Sequence, residues 1–522
     1  MLRPGRPEQR QQQHQRQQQH QRHQRQGARR SEAARAWSVL AVTSVTVVLV
    51  FLNSSSLNVA LPAMSRDLGA SPTQSSWFLL SYMLVTTALI LVFGRLADLF
   101  GRRRLYIGGI VVFAAGTLAC GLAPTADFMI AFRFVQGVGA ASVITNNTAI
   151  LTDAFPPRLL STGLGINATA AAVGQVLGPV AGGVVVELMG WRWIFLLGVP
   201  LLAAGLAASL KLIPGSDGGA RTEKLDLFGA LLVTSGLAAL VVAVNELPGS
   251  GGWTNPWILG AGLGALALIA LFVLVQRRRT DPLVDLGIFA DRSVAYLYAA
   301  GFLSAFATYA VVLLASLYLQ SARGLTALHA GLMVVPAPAG TMLAALVAGR
   351  LTGRIHHGLL SAAGCVLIAA GAAAVGASIW LGISIWPDRA TAGLAAGLFV
   401  VGFGTGLFMT PNTSALMLTV APERRGIANA VRSTLQNAGY LFSTSVSLGL
   451  ATVLLGDADR SLAYAGTLST SGGDVGAFVG GLMVALAVLV AAAALGALAS
   501  VRTRRFPAAP SPRPAAEGAP AR

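Results

Sequence analysis

From Trp37 to Val501 the chain alternates long apolar runs with short polar breaks, and each run approaches the roughly 20 residues that carry a helix across about 30 Å of hydrocarbon. Runs bounded by charges, Gly/Pro clusters or Trp predict six spans near 37–61, 75–96, 105–123, 128–151, 161–186 and 192–213. Two follow near 227–246 and 256–276, then six near 294–319, 326–349, 358–382, 391–419, 427–455 and 475–501. The total is about fourteen. No run shows the two-residue alternation of a barrel strand, and a helix satisfies its own backbone in lipid, so an all-α membrane protein is expected. It would comprise a polar tail over 1–36, a six-helix bundle over 37–213, two linking helices over 214–293, a second six-helix bundle over 294–501 and a tail over 502–522.

Composition agrees with this pattern, because 54% apolar and 11% charged residues fall outside the range of soluble globular domains. A net charge of +17 would suggest nucleic-acid binding in a soluble protein. Here the charges follow the membrane instead. With the N-terminus inside, cytoplasmic segments hold about thirty of the 37 basic residues and external loops about five: Arg66, Arg192, Arg323, Arg389 and Arg460. This asymmetry requires an even number of spans with both termini cytoplasmic, and no nucleic-acid partner is expected. Arg133 and Arg432 alone fall inside spans.

The Gln/Arg/His-rich tail has no apolar face and is expected to be disordered, and the first apolar run is too long for the core of a cleavable signal peptide. Cys120 and Cys365 lack ligand spacing and read as small hydrophobes, so neither metal nor cofactor is expected. Basic residues other than Lys211 and Lys224 are all arginine, as in a GC-rich bacterial genome, so a bacterial plasma membrane is the expected location.

Four motifs stand out. GRLADLFGRRRL begins at Gly94 between spans two and three, with Asp98, Gly101, Arg102 and Arg103 at the membrane edge. A degenerate copy, GRLTGRIHHGLL, begins at Gly349 after span ten. RFVQGVGAA runs from Arg133, and GQVLGPVAGG places Gly174, Gly178 and Gly182 on one flat face, with Pro179 and Gly183 beside it. WRWIFLLGVP opens span six at Trp191.

These motifs resemble the major facilitator superfamily, in particular its fourteen-span drug:proton antiporters. The resemblance implies two six-helix bundles related as parallel repeats, with two extra central helices. It also implies a small-molecule substrate, coupled protons and alternating access between the two faces. The GRLADLFGRRRL segment would latch the inward end, and Gly94 would let two helices approach closely. A monomer is expected.

For the site, Arg133 lies deep enough that an unpaired guanidinium is costly, and Gln136 and Asn147 fall near its helical face. FLNSSSLNVALP in span one puts Asn53 at a similar depth, with Asn58 one turn on, and Gln175 belongs to the glycine motif of span five. In span thirteen Asn429, Arg432, Gln436 and Gly439 share a face, and Arg432 either faces the cavity or snorkels. Phe302, Phe306, Tyr309, Tyr318 and Phe408 are candidate aromatic walls, and MTPNTSAL from Met409 is a proline-broken polar point. The resembled antiporters carry an aspartate where this chain has Asn53, and the tetracycline branch has a glutamate where it has Ser54. No acid falls at mid-membrane, leaving Asp98, Asp153, Glu187 and Glu246 near span ends as proton-coupling candidates. Neutral or anionic substrates therefore fit better than lipophilic dications. A facilitator or importer without proton antiport, or a non-transporting sensor or scaffold, are the alternatives. No catalytic constellation is present, so an enzyme is not expected.

Overall fold

The computed structural model describes residues 6–215, 226–246, 255–279, 286–352, 354–384, 387–421 and 424–503. Thirteen of its helices are long and apolar enough to cross a membrane. Spans one to six are Ala34–Asp67, Pro72–Ala97, Arg102–Gly121, Ala126–Ala154, Thr162–Met189 and Arg192–Leu212. Spans seven and eight are Phe228–Glu246 and Pro256–Arg278. Spans nine to twelve are Arg292–Ala322, Ala327–Leu351, His357–Gly382 and Thr391–Thr419, and span fourteen is Val475–Arg502. Span thirteen, Arg425–Ala451, is 27 residues long, and Arg432, Ser433, Gln436 and Asn437 lower its apolarity. It packs against spans two, nine and fourteen, which completes the expected set.

Helix starts follow their capping chemistry. Ser71 and Gln74 form a reciprocal capping box ahead of Pro72. Asp291 accepts from Ser293 N at 2.8 Å at the head of span nine, and Asp474 accepts from Ala477 N at 2.8 Å at that of span fourteen. Span thirteen stops at Ala451, short of the expected 455, where the chain turns into a short helix, Asp457–Ala465. The first helix starts at Arg6, so the tail expected to be disordered continues span one as helix. Gln and Arg are good helix formers, and no proline interrupts them before the apolar run. The far C-terminal tail, from 504, lies outside the described residues.

Side-chain contacts sort the span ends into two faces. Asp67 pairs with Arg192 and accepts from Trp191 Nε1 at 3.0 Å on one face. On the other, Arg102 meets Asp153 at 2.6 Å and Arg103 donates to Leu210 O at 2.8 Å. The face of Arg102 is called the near face, since span one enters and span fourteen leaves there, and the other the far face.

The two halves repeat each other in their glycines. In span four a Cβ on Gly137 would meet the backbone of Tyr82 in span two, and Gly139 lies against Phe113 of span three. In span twelve Gly402 presses against Ala337 of span ten, and Gly404 against Gly364 of span eleven. The same G-x-G pair thus seats two neighbours in each half, as parallel repeats require. Span seven packs against spans two and thirteen, with Ala230 and Leu232 sharing a core with Leu91, Leu297 and Leu416.

Hydrogen bonds join the halves at the far face. Gln320 donates to Val59 O at 3.1 Å, Arg66 to Ala465 O at 3.1 Å, and Ser76 to Tyr464 Oη at 3.0 Å. Leu57, Leu61 and Met64 of span one share a buried cluster there with Leu314, Tyr318 and Phe478.

Candidate functional site

Arg133 is 1% exposed, one helical turn from Gln136. Its Nε donates to Phe78 O at 2.8 Å, its Nη1 donates to Gln136 Oε1, and its guanidinium lies 4.3 Å from the centroid of the Tyr82 ring. Gln136 in turn donates through Nε2 to Asn53 Oδ1 at 3.2 Å and to Thr117 Oγ1 at 2.8 Å. The expected closeness of Asn53 and Arg133 is therefore real and runs through Gln136. Every partner described is neutral or aromatic, so the cation keeps its net charge inside the bundle.

The serines beside Asn53 divide by direction. Ser55 and Ser56 donate to Gly174 O at 3.4 Å and Gly178 O at 2.8 Å, fastening span one to span five instead of lining a cavity. Ser54 lies on a different side, toward Tyr309 of the second half. The Tyr309 ring lies 4.6 Å from that of Tyr440 in span thirteen.

Beyond Tyr440 a pocket opens between spans nine, twelve and thirteen. Arg432 turns inward instead of snorkelling, donating to Asn429 Oδ1 at 3.1 Å and Gln436 Oε1 at 2.9 Å. Gln436 then donates to Tyr440 Oη at 2.7 Å. Phe302 and Phe408 line the pocket, and Phe306 stacks on Phe302. Tyr318 sits in the far-face core.

Asn147 donates to Asn167 Oδ1 at 2.7 Å, and Asn167 donates to Ser44 Oγ at 3.2 Å, a polar chain separate from the Arg133 cluster. Asn58 is buried toward the far face. Gln175 is exposed, one turn before Pro179, Gly183 and Glu187 on the same stripe of span five. Pro179 and Gly183 touch Gly331, Ala327 and Leu328 of span ten, and Glu187 accepts from Leu328 N at 3.2 Å. That stripe faces the second half at its far end, and Gln175 lies one turn nearer the near face.

The family model described as Major Facilitator Superfamily matches residues 43–244 and 227–444. The chain belongs to the major facilitator superfamily. It is 34% identical over 408 residues to the multidrug resistance protein Stp of Mycobacterium tuberculosis, covering 78% of this chain and 74% of that one. It is 32% identical over 396 residues to the methylenomycin A resistance protein of Streptomyces coelicolor, covering 76% and 81%. A bacterial homolog of the human lysosomal transporter Spinster, solved inward-facing and unoccupied, aligns with TM-score 0.60 at 17% identity over 90% of this chain and 97% of that one, a likeness of fold.

Within this membrane-transporter fold, one sequence expectation about the motifs changes. In the loop after span two, Arg102 pairs with Asp153 of span four and Arg103 donates to Leu210 of span six, both in its own half. A Cβ on Gly94 would meet only Thr145 Cγ2, at 3.7 Å, so that glycine is not a close approach. Gly101 is the constrained one, with φ +90° between spans two and three. In the glycine motif of span five, Gly174, Gly178 and Gly182 lie against Val48, Leu52 and Ser56, and Gly183 against span ten.

Of the proton-coupling candidates, Asp153 is paired with Arg102 at the near face and Glu187 caps span ten at the far face. Glu246 ends span seven. The Asp98 side chain lies outside the described residues. Sequence reading passed over Asp226, a buried carboxylate that pairs with Arg279 at 2.9 Å and accepts from Gly229 N at 2.8 Å, clasping spans seven and eight. Asn412, in the MTPNTSAL stretch, occupies in span twelve the place Asn147 holds in span four.

Proposed function

We propose that this chain exports amphipathic small molecules, drugs or antibiotics among them, by proton-driven alternating access in a bacterial plasma membrane. The near face is read as cytoplasmic, because arginines concentrate there and at both termini. The carrying observation is the buried polar line of Arg133, Gln136 and Asn53, which meets the second half through Ser54 and Tyr309 at a level where Gln175 is already exposed. Two bundles clasped at the far face, with Gln175 exposed on the stripe of span five that meets the second half there, suit a cavity loaded from the cytoplasm. The resistance proteins it resembles support export. The substrate contacts would be Asn53, Asn58, Arg133, Gln136, Asn147, Gln175, Arg432 and Gln436, in a monomer. The coupling proton would use carboxylates near span ends, Asp98, Asp153, Glu187 and Glu246, since Asn53 cannot carry it.

A susceptibility panel in an efflux-deficient host tests this reading. Expression should raise the inhibitory concentration of several amphipathic antibiotics, and Arg133→Ala should abolish the rise. No change for any compound with well-expressed protein would refute export.

One observation favours a second reading. Asn53 and Ser54 stand where related antiporters hold an acid, as an uncoupled facilitator would also have it. Facilitated flux that equilibrates without accumulating would select that reading.

A further inference from the structure

We propose that the pocket between spans nine, twelve and thirteen is a subsite for monoanionic aromatic amphiphiles, with Arg432 binding the anion and Asn412 accepting a hydrogen bond from the ligand. The inference deepens the proposed export function and takes the pocket as part of its substrate path.

Three observations carry it. First, Arg432 is the single formally charged side chain among the described residues that line the pocket. Its Nε and Nη1 are occupied by the amide oxygens of Asn429 and Gln436, and Nη2 has a contact to Ser433 Oγ at 3.5 Å, the limit of a hydrogen bond. Neutral amides orient the guanidinium without cancelling its charge. Gln436 donates to Tyr440 Oη, which fixes its carbonyl toward the arginine and leaves the Nη2 edge for a ligand.

Second, Asn412 lines the same pocket, is 4% exposed, and its Oδ1 has no hydrogen-bond donor among the described residues. A desolvated acceptor left open is a standing cost that a ligand hydroxyl or N–H would remove. Third, the walls are aromatic and polarisable: Phe302, Phe408, Tyr298, Tyr440 and Met409. One unneutralised guanidinium against ring faces selects a single negative charge on an aryl body, and repels a lipophilic cation.

The test uses full-length protein in detergent, with equilibrium dialysis of naphthalene-2-carboxylate, its carboxamide, 2-naphthylmethylammonium and 6-hydroxynaphthalene-2-carboxylate. The carboxylate should bind about tenfold or more tighter than the carboxamide, with the ammonium weakest. Arg432→Gln should erase the carboxylate preference while the carboxamide still binds, and Arg432→Lys should keep most of it. The hydroxyl should tighten binding in the wild type and not in Asn412→Leu. Should Arg432→Gln lose the carboxamide as well, Arg432→Lys decides: a retained preference supports the subsite and a lost one overturns it. Equal binding of carboxylate and carboxamide overturns it, as does a preference that survives Arg432→Gln or that disappears with Arg133→Gln instead. Binding is read without a gradient, so a failure of export and a failure of this subsite give different results.

Discussion

Asn53 in span one and Gln136 in span four are joined by a hydrogen bond of 3.2 Å, and the same Gln136 side chain accepts from the buried Arg133. The glutamine is thus held between two helices so that its carbonyl meets the guanidinium. An unpartnered charge at this depth is costly, and a fixed neutral acceptor reduces the cost without removing the charge.

Replacing Gln136 with Leu should therefore destabilise the protein by roughly 1.5–3 kcal/mol, the range for a lost hydrogen bond to a charged group. Gln175→Leu, at an exposed position, should unfold near the wild-type temperature. Thermal unfolding in detergent compares the two. Equal melting temperatures for both variants would mean that Arg133 does not depend on Gln136.

Asn53→Asp tests the missing acid. A carboxylate there still accepts from Gln136 and stands near Arg133, giving the first half a negative charge at this level. Export of ethidium, a lipophilic cation, should appear or rise severalfold in the variant. An unchanged substrate range would argue that position 53 does not face the transported molecule.

How much of this was legible in the sequence differs by type of contact. The spans, their even number and the level shared by Asn53 and Arg133 followed from apolar run length and helical rise. The glycine motif also spoke plainly, since its four-residue spacing makes a face and the face found span one. What did not follow was direction: three consecutive serines look alike on paper, yet Ser55 and Ser56 fasten span five while Ser54 lies toward Tyr309. Arg432 could equally have pointed to either side, because depth alone does not choose between snorkelling and a cavity. Asp226 sits before span seven in a stretch that reads as loop, and only its packing against Gln276 and Arg279 buries it. Gly94 erred the other way, since a family motif marks a residue without saying what it touches here.

Gly402→Ala and Gly94→Ala make a matched pair on that last point. A methyl at 402 would overlap the Ala337 carbonyl of span ten, and neither backbone can yield without parting the helices. At 94 the methyl would rest 3.7 Å from Thr145 Cγ2, an ordinary contact. Gly402→Ala should cost about 1–3 kcal/mol or prevent folding, and Gly94→Ala should be neutral or slightly stabilising through helix propensity. Melting temperatures of the two variants check it, and a stable Gly402→Ala would contradict the close approach of spans ten and twelve.

Glu187→Gln probes the far-face clasp. The carboxylate accepts from Leu328 N at the start of span ten, where the helix dipole favours a negative charge, and this contact exists only while the halves meet there. Neutralising it should shift the population toward a far-open state, lengthening the distance between spin labels placed on the ends of spans five and ten. A distance distribution identical to wild type would show that Glu187 does not bias the equilibrium.

The most direct measurement of the central claim is uptake of an amphipathic antibiotic such as chloramphenicol into inside-out membrane vesicles containing the full-length protein. With an acidic lumen the antibiotic should accumulate above its external concentration, a protonophore should collapse the accumulation, and Arg133→Ala vesicles should show neither effect. Accumulation that ignores the protonophore, or flux that merely equilibrates, would contradict proton-driven export.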